Sequence, residues 1–206
     1  MPKAEWYVVQ VQTGHEQQMC ELIESLCAQA DLLAAATSDE DDPTLLLQEC
    51  FSPRFRTQRK RMGRFVDVEH PLLPGYVIAV THDPARLAHN LRLTREYTHL
   101  LAVGETYVPL SKEERLWLER QTAQGNRVVP MSIGYRRGDT FVATEGPLVG
   151  HEWMVDRVSR ANSMAHLELH VGQMTIRTTV GLAILPEPAD TETTPDGGPM
   201  PSARTE

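Results

Sequence analysis

The feature that most constrains the fold is an apolar run, YVIAV at residues 76–80, which follows a Pro74-Gly75 dipeptide. Such a short and almost wholly apolar run is typical of a strand buried on both faces. Proline presets one backbone dihedral and glycine tolerates a positive one, so the dipeptide predicts a tight turn before the strand. A strand with water on neither face must lie inside a sheet, with other elements packed over it.

The rest of the N-terminal half supplies those elements. A second apolar strand is predicted at residues 6–9, WYVV. Thr13 and Glu16 have the spacing of a capping box, which predicts a helix whose apolar residues recur at helical spacing over about four turns. Asp83-Pro84 predicts the start of a second helix, and Ser111 predicts the start of a third. Residues 34–43 lose this periodicity, turn acidic and are predicted to form an exposed loop.

The most basic segment is residues 54–64, which hold six Lys or Arg residues and no acidic residue. Met62-Gly63 interrupts it between two segments with strand character, so we predict a β-hairpin whose tip carries the charge. A positive loop that only serves solubility and a surface that contacts nucleic-acid phosphates are both compatible with such a run.

Residues 123–134 contain glycine and proline without periodicity and are predicted to link two domains. Beyond them we predict strands near 139–144, 152–158, 165–171, 174–180 and 182–185, with Gly172-Gln173 as a hairpin turn. Five short strands in so few residues favour a small β-barrel. The predicted fold class is therefore α+β. Residues 1–122 form an α/β sandwich, 123–134 a linker, 135–186 a five-stranded barrel and 187–206 a disordered acidic tail.

Composition excludes several classes of protein. No run is long and apolar enough to span a membrane, and no signal peptide follows Met1, so we expect a cytoplasmic protein. We also expect it to be a monomer. The three cysteines form no CxxC pair and are expected to be reduced, partly buried thiols. His166 and His170 lie on a predicted strand, where their spacing of about 13 Å is too long for one metal ion. No catalytic motif is found, so we predict no enzymatic activity, no catalytic residue, no metal and no cofactor.

The net charge of −8 is unevenly distributed. Residues 39–42 and the tail from 187 to 206 each contribute −4, so the remainder of the chain is neutral. Bases are clustered within this remainder, and a phosphate backbone would interact with such a cluster. We predict contacts with RNA through Arg59, Lys60, Arg61, Arg136, Arg137, Arg157 and Arg160.

Two sets of motifs resemble a known family. WYVVQ at 6–10, Thr13-Gly14 before a helix, and PLLPGYV at 71–77 resemble the N-terminal (NGN) domain of NusG-family transcription elongation factors. GDTFV at 138–142 and EGPLVG at 145–150 resemble the family's C-terminal KOW barrel. Residues 158–169 and 180–185 are similar to the LoaP branch, whose members are antiterminators acting on long biosynthetic gene clusters and associated with RNA-hairpin recognition. Trp153 departs from the small residue common in the family's barrel.

The resemblance implies a non-catalytic factor that binds the clamp helices of RNA polymerase through an exposed apolar patch and increases processivity. The positions matching that patch are Tyr76, Ile78, Leu100 and Val103, and His89-Asn90 match a contact with the opposite jaw of the polymerase. On this reading a leader RNA hairpin recruits the factor. The alternative is a general NusG-like adaptor whose barrel binds the termination factor Rho or a ribosomal protein.

Overall fold

A computed structural model describes residues 3–37, 45–138, 140–159, 163–171 and 173–187. The helices are α1 (Glu16–Thr37), α2 (Pro84–Arg92) and α3 (Lys112–Gln121). The strands are β1 (Glu5–Val11), β2 (Glu49–Phe51), β3 (Arg54–Arg61), β4 (Arg64–Pro71), β5 (Tyr76–Thr81), β6 (Thr98–Leu100), β7 (Ala102–Val103), β8 (Thr106–Tyr107), β9 (Val128–Val129), β10 (Ser132–Arg137), β11 (Thr140–Glu145), β12 (Val155–Ser159), β13 (Met164–Val171) and β14 (Met174–Leu185).

The first sheet has the strand order β2-β5-β1-β6, so the YVIAV strand β5 lies inside it as predicted. Side chains alternate between its two faces. Val77 and Ala79 pack in one core with apolar residues of α1 and α2. Ile78 and Val80 pack in a second core with Trp117 of α3. Both faces of β5 are therefore covered.

Two of the predicted helix starts are confirmed by side-chain caps. Asp83 accepts the Arg86 N–H at 2.9 Å, and Ser111 accepts the Glu114 N–H at 3.3 Å. The loop predicted from residue 34 was wrong for residues 34–37, which continue α1. Three alanines there favour the helical state. The rest of that acidic loop lies outside the described residues.

The basic segment forms the predicted hairpin. β3 pairs antiparallel with β4 from Arg54↔Pro71 to Arg61↔Arg64, and the tip is Met62-Gly63, both with positive φ. β3 also pairs in parallel with β9, which lies inside the predicted linker. The prediction of an irregular connection was therefore wrong for β9 and for the start of β10, because this segment is hydrogen-bonded to β3 and to the last strand.

The C-terminal strands form one five-stranded sheet, in the order β11-β10-β14-β13-β12. We call it the C-terminal unit. β10 pairs in parallel with β14, and a short 3-10 helix (Glu152–Met154) lies between β11 and β12. The two strands predicted at 174–180 and 182–185 are one continuous strand, β14. The strand that comes first in this sheet along the chain, β10, was not predicted. The tail from residue 188 and Gly172 lie outside the described residues.

The C-terminal unit packs directly on the N-terminal half. Trp117 Nε1 donates to the Pro147 carbonyl at 2.8 Å, and Thr57 Oγ1 donates to the Ser163 carbonyl at 3.1 Å. Thr178 Oγ1 donates to the Leu72 carbonyl. These bonds connect α3, β3 and the turn before β5 to three different parts of the unit. None of the three helices in the described ranges combines the length and apolarity needed to cross a membrane.

Candidate functional site

The tip of the β3–β4 hairpin carries three arginines on one face. Cross-strand partners share a face, and Arg61 pairs with Arg64 while Arg59 pairs with Val66. All four side chains are exposed. Nearer the hairpin base the same face buries Thr57, whose hydroxyl bonds to the C-terminal unit. We call Arg59, Arg61 and Arg64 the arginine face; none of the three forms a salt bridge with a carboxylate of a described residue.

On the opposite face of the hairpin, nearer its base, an acidic side chain offsets the positive charge of two arginines. Arg54 and Arg56 both lie beside the Glu69 carboxylate, at 3.6 and 3.3 Å. Gln58 donates to Asp67 at 3.1 Å. Lys60 lies beyond these pairs, opposite the exposed Phe65. The predicted set Arg59, Lys60 and Arg61 is thus divided between two faces of the hairpin. Arg59 and Arg61 share one face with Arg64, and Lys60 lies on the other.

The predicted bases of the C-terminal unit do not form a single cluster with the hairpin. Arg136 and Arg157 line one groove of about 510 Å³ between β11 and β12. Arg137 lies away from that groove, donates to Glu187 at 2.8 Å and stacks over Tyr135. Arg160 lies outside the described residues.

The residues predicted to contact polymerase differ in accessibility. Tyr76 is partly exposed and Val103 is exposed, whereas Ile78 and Leu100 are buried in separate cores. Ile78 faces the core that also contains residues of the C-terminal unit. An exposed apolar patch comprising all four residues is therefore absent from this arrangement, because the chain's own side chains cover two of them.

His89 and Asn90 lie on the last turns of α2. His89 is exposed, while the Asn90 side-chain nitrogen is buried and has no hydrogen-bond partner among the described residues. The structure therefore leaves His89 available for contact and directs part of Asn90 inward.

Two residues that the sequence did not indicate lie close to Tyr76. Gln10 of β1 pairs with Tyr76 on one side and with His99 on the other. The hydroxyl of Tyr97, a residue that is 59% exposed, donates to Gln10 Oε1 at 3.2 Å. The two tyrosines thus flank one glutamine at the end of the sheet. The only sequence signal for Tyr97 was an aromatic residue in a polar segment.

Glu16 fixes the turn that presents Tyr76. Its carboxylate accepts the Gly75 N–H at 2.8 Å and the Gly14 N–H at 3.0 Å. Burial alone would raise the pKa of Glu16, but these backbone hydrogen bonds outweigh burial and lower it. The ionised carboxylate therefore joins the start of α1 to the Pro74-Gly75 turn.

The three cysteines are buried between α1 and β2 as free thiols, as predicted. Burial raises the pKa of Cys27 to about 11, and the Asp31 carboxylate adds to that shift. Among the described residues, no group of three His, Cys, Asp or Glu side chains has a geometry suited to a metal ion. His166 and His170 both lie on strand β13, as predicted.

The sequence of residues 4–119 matches the family model described as "Transcription termination factor nusG". This match covers more than half of the chain. The chain belongs to the NusG family. It is therefore a member of a family of transcription factors.

The NusG-family match runs from β1 into α3, so it contains the first sheet, the arginine face and the tyrosine pair, but not the C-terminal unit. Among solved structures, one describing domain interaction in Thermotoga maritima NusG is 17% identical in sequence. The match covers 87% of this chain and 94% of the Thermotoga maritima chain, with a TM-score of 0.47. A search of curated proteins gave no significant match.

Proposed function

We propose that this NusG-family chain is an antitermination and elongation factor. On this proposal a hairpin in the leader RNA recruits it to long biosynthetic operons, and it binds the clamp helices of RNA polymerase. The observation that carries the RNA part is the arginine face, which places three exposed arginine side chains on one side of the hairpin tip.

Arginine suits this role because its planar guanidinium can donate two hydrogen bonds to one phosphate. Arg54 and Arg56 already have a carboxylate partner in Glu69, so phosphate binding there would compete with an existing pair. The arginine face has no such competitor among the described residues. RNA contact is therefore assigned to Arg59, Arg61 and Arg64, with Lys60 on the reverse side.

The polymerase contact is assigned to the surface around Tyr76 and Tyr97. An aromatic ring with a polar tip supplies apolar contact area and a hydrogen-bonding group together, which is typical of interface anchors. Ile78 and Leu100 would contribute only if the packing above them opened. Val103 and His89 are exposed and need no rearrangement.

Filter binding of a stem–loop RNA at increasing salt tests the RNA assignment. Replacing all three arginines of the arginine face by Ala should reduce the slope of log K against log salt by about 2 to 3, because each phosphate contact contributes roughly 0.7 to 0.9. The matched control replaces Arg54 and Arg56, which lie on the same hairpin, and should change the slope much less. Equal slopes for wild type and the triple variant would remove the arginine face from the proposal.

Tyr76→Ala tests the polymerase assignment. We expect weaker binding to the clamp helices by about 1 to 2 kcal/mol, which is typical of losing an interface anchor. Val66→Ala, which changes an exposed hairpin residue, is the control. Unchanged affinity of a normally melting Tyr76→Ala variant would refute the role of Tyr76.

A further inference from the structure

The groove between β11 and β12 has the chemistry of a site for one unpaired RNA base. These strands are the two outer strands of the C-terminal sheet, so the groove lies where the sheet would close on itself. It contains Arg136, Arg157 and Trp153, with the side chain of Phe141 buried beneath. Resting on the proposed RNA-binding function, we infer that an unpaired base of the bound RNA stacks on Trp153 in this groove.

Trp153 is held outward by its local structure. It is the central residue of the 3-10 helix Glu152–Met154, in which Met154 is buried and Trp153 is 68% exposed. Trp6 and Trp117, in contrast, are almost fully buried. A large aromatic surface left open to water beside cationic side chains suits a stacking platform, because every base has a π-face.

The charges around Trp153 fit a nucleotide. Arg136 and Arg157 are both exposed and can reach phosphates on either side of a stacked base. Of the two acidic residues in the groove, Glu152 uses its carboxylate to accept the Ala143 N–H at 3.3 Å. Asp156 is exposed, and its carboxylate can accept a hydrogen bond from an exocyclic amino group of a base.

The groove is connected to the hairpin by strand β12. β12 begins beside Trp153 and ends at Ser159, which pairs with Met164 next to the Ser163–Thr57 contact. Five strand residues span about 16 Å. One stem–loop can therefore place stem phosphates on the arginine face and a loop base in the groove. A blunt duplex offers no unpaired base for stacking.

Binding of a stem–loop RNA and of its blunt stem duplex to the full-length protein tests this inference. Trp153→Ala should weaken stem–loop binding about 5- to 150-fold, the range expected for losing one stacked base, and leave duplex binding unchanged. Trp153→Phe should restore most of the stem–loop affinity. Because Trp153 is the exposed tryptophan, the stem–loop should also quench fluorescence that the duplex leaves unchanged.

Each contrary result has a distinct meaning. If wild type binds RNA through the arginine face but Trp153→Ala keeps full stem–loop affinity, the inference is wrong and the proposed function stands. If wild type binds neither RNA, both are wrong. If Trp153→Ala keeps its RNA affinity but loses binding to RNA polymerase, the groove is a protein site and the inference is overturned.

Discussion

Arg127 is expected to contribute more to stability than an exposed arginine. Its guanidinium lies 5.1 Å from the Trp6 ring centroid and 4.4 Å from that of Phe51. Its Nε donates to Glu49 at 2.9 Å, and a second nitrogen donates to the other Glu49 oxygen. The two side chains of this ion pair are only 12% and 14% exposed. The contact fixes the segment after α3 to the first sheet.

Arg127→Ala leaves the Glu49 carboxylate without its countercharge in a largely buried position. Breaking such a pair costs about 3 to 5 kcal/mol, and the remaining exposure favours the lower end of that range. A loss of about 3 kcal/mol corresponds to a fall of roughly 6 to 12 °C in the melting temperature of a chain of this size. Urea unfolding of Arg127→Ala, Glu49→Gln and the double variant measures both the loss and the coupling energy.

Arg177→Ala is the matched control, because Arg177 forms an ion pair with Glu168 at 3.2 Å but is 86% exposed. It should cause little change, as is typical of surface pairs. If Arg127→Ala is no more destabilising than Arg177→Ala, or if the double-variant cycle shows no coupling, the reasoning about the buried pair is refuted.

Three further predictions concern other parts of the chain. Because the folded-state pKa of Glu16 is lowered, its stabilising effect is complete above the unfolded-state pKa of about 4.3 and is lost as pH falls through the folded-state pKa. Glu16→Gln should therefore lower the free energy of unfolding by about 1 to 2 kcal/mol at pH 7. In acid, the urea midpoint of the variant should approach that of wild type. A difference between the two midpoints that does not change with pH would contradict this. Cys27, with its raised pKa, should react with a disulfide reagent only after unfolding, and rapid reaction of the native protein would disprove its burial. A side chain at Gly181 would collide with the backbone carbonyl of Arg56. Gly181→Val should therefore loosen the C-terminal unit and increase the radius of gyration measured by solution scattering. The control Thr175→Val, on the exposed face of β14, should leave the radius unchanged. An unchanged radius for a stable Gly181→Val variant would contradict that contact.

The local features of the fold were predictable because nearby residues determine them. The caps at Asp83 and Ser111, the interior strand β5 and the hairpin tip at Met62 each depend on a few consecutive residues. The boundaries were less predictable. The sequence predicts a break between two strands at Gly181, but this residue lies within β14, where the carbonyl of Arg56 leaves no room for a side chain.

The candidate site was only partly predictable, because burial depends on contacts between distant parts of the chain. The alternating pattern of β5 indicated that Ile78 would face one side of the sheet, but not that α3 and the C-terminal unit would cover that side. Similarly, the basic run indicated a charged hairpin, but the division into a free arginine face and a face neutralised by Glu69 depends on the cross-strand register.

The proposed function is tested most directly by transcription with purified RNA polymerase through a terminator placed downstream of a stem–loop leader. We expect the wild-type chain to increase the fraction of transcripts that pass the terminator, and the triple Ala variant of Arg59, Arg61 and Arg64 to lose this effect on the same template. An unchanged read-through fraction with the wild-type chain, under conditions where it binds both the polymerase and the leader RNA, would contradict the proposed function.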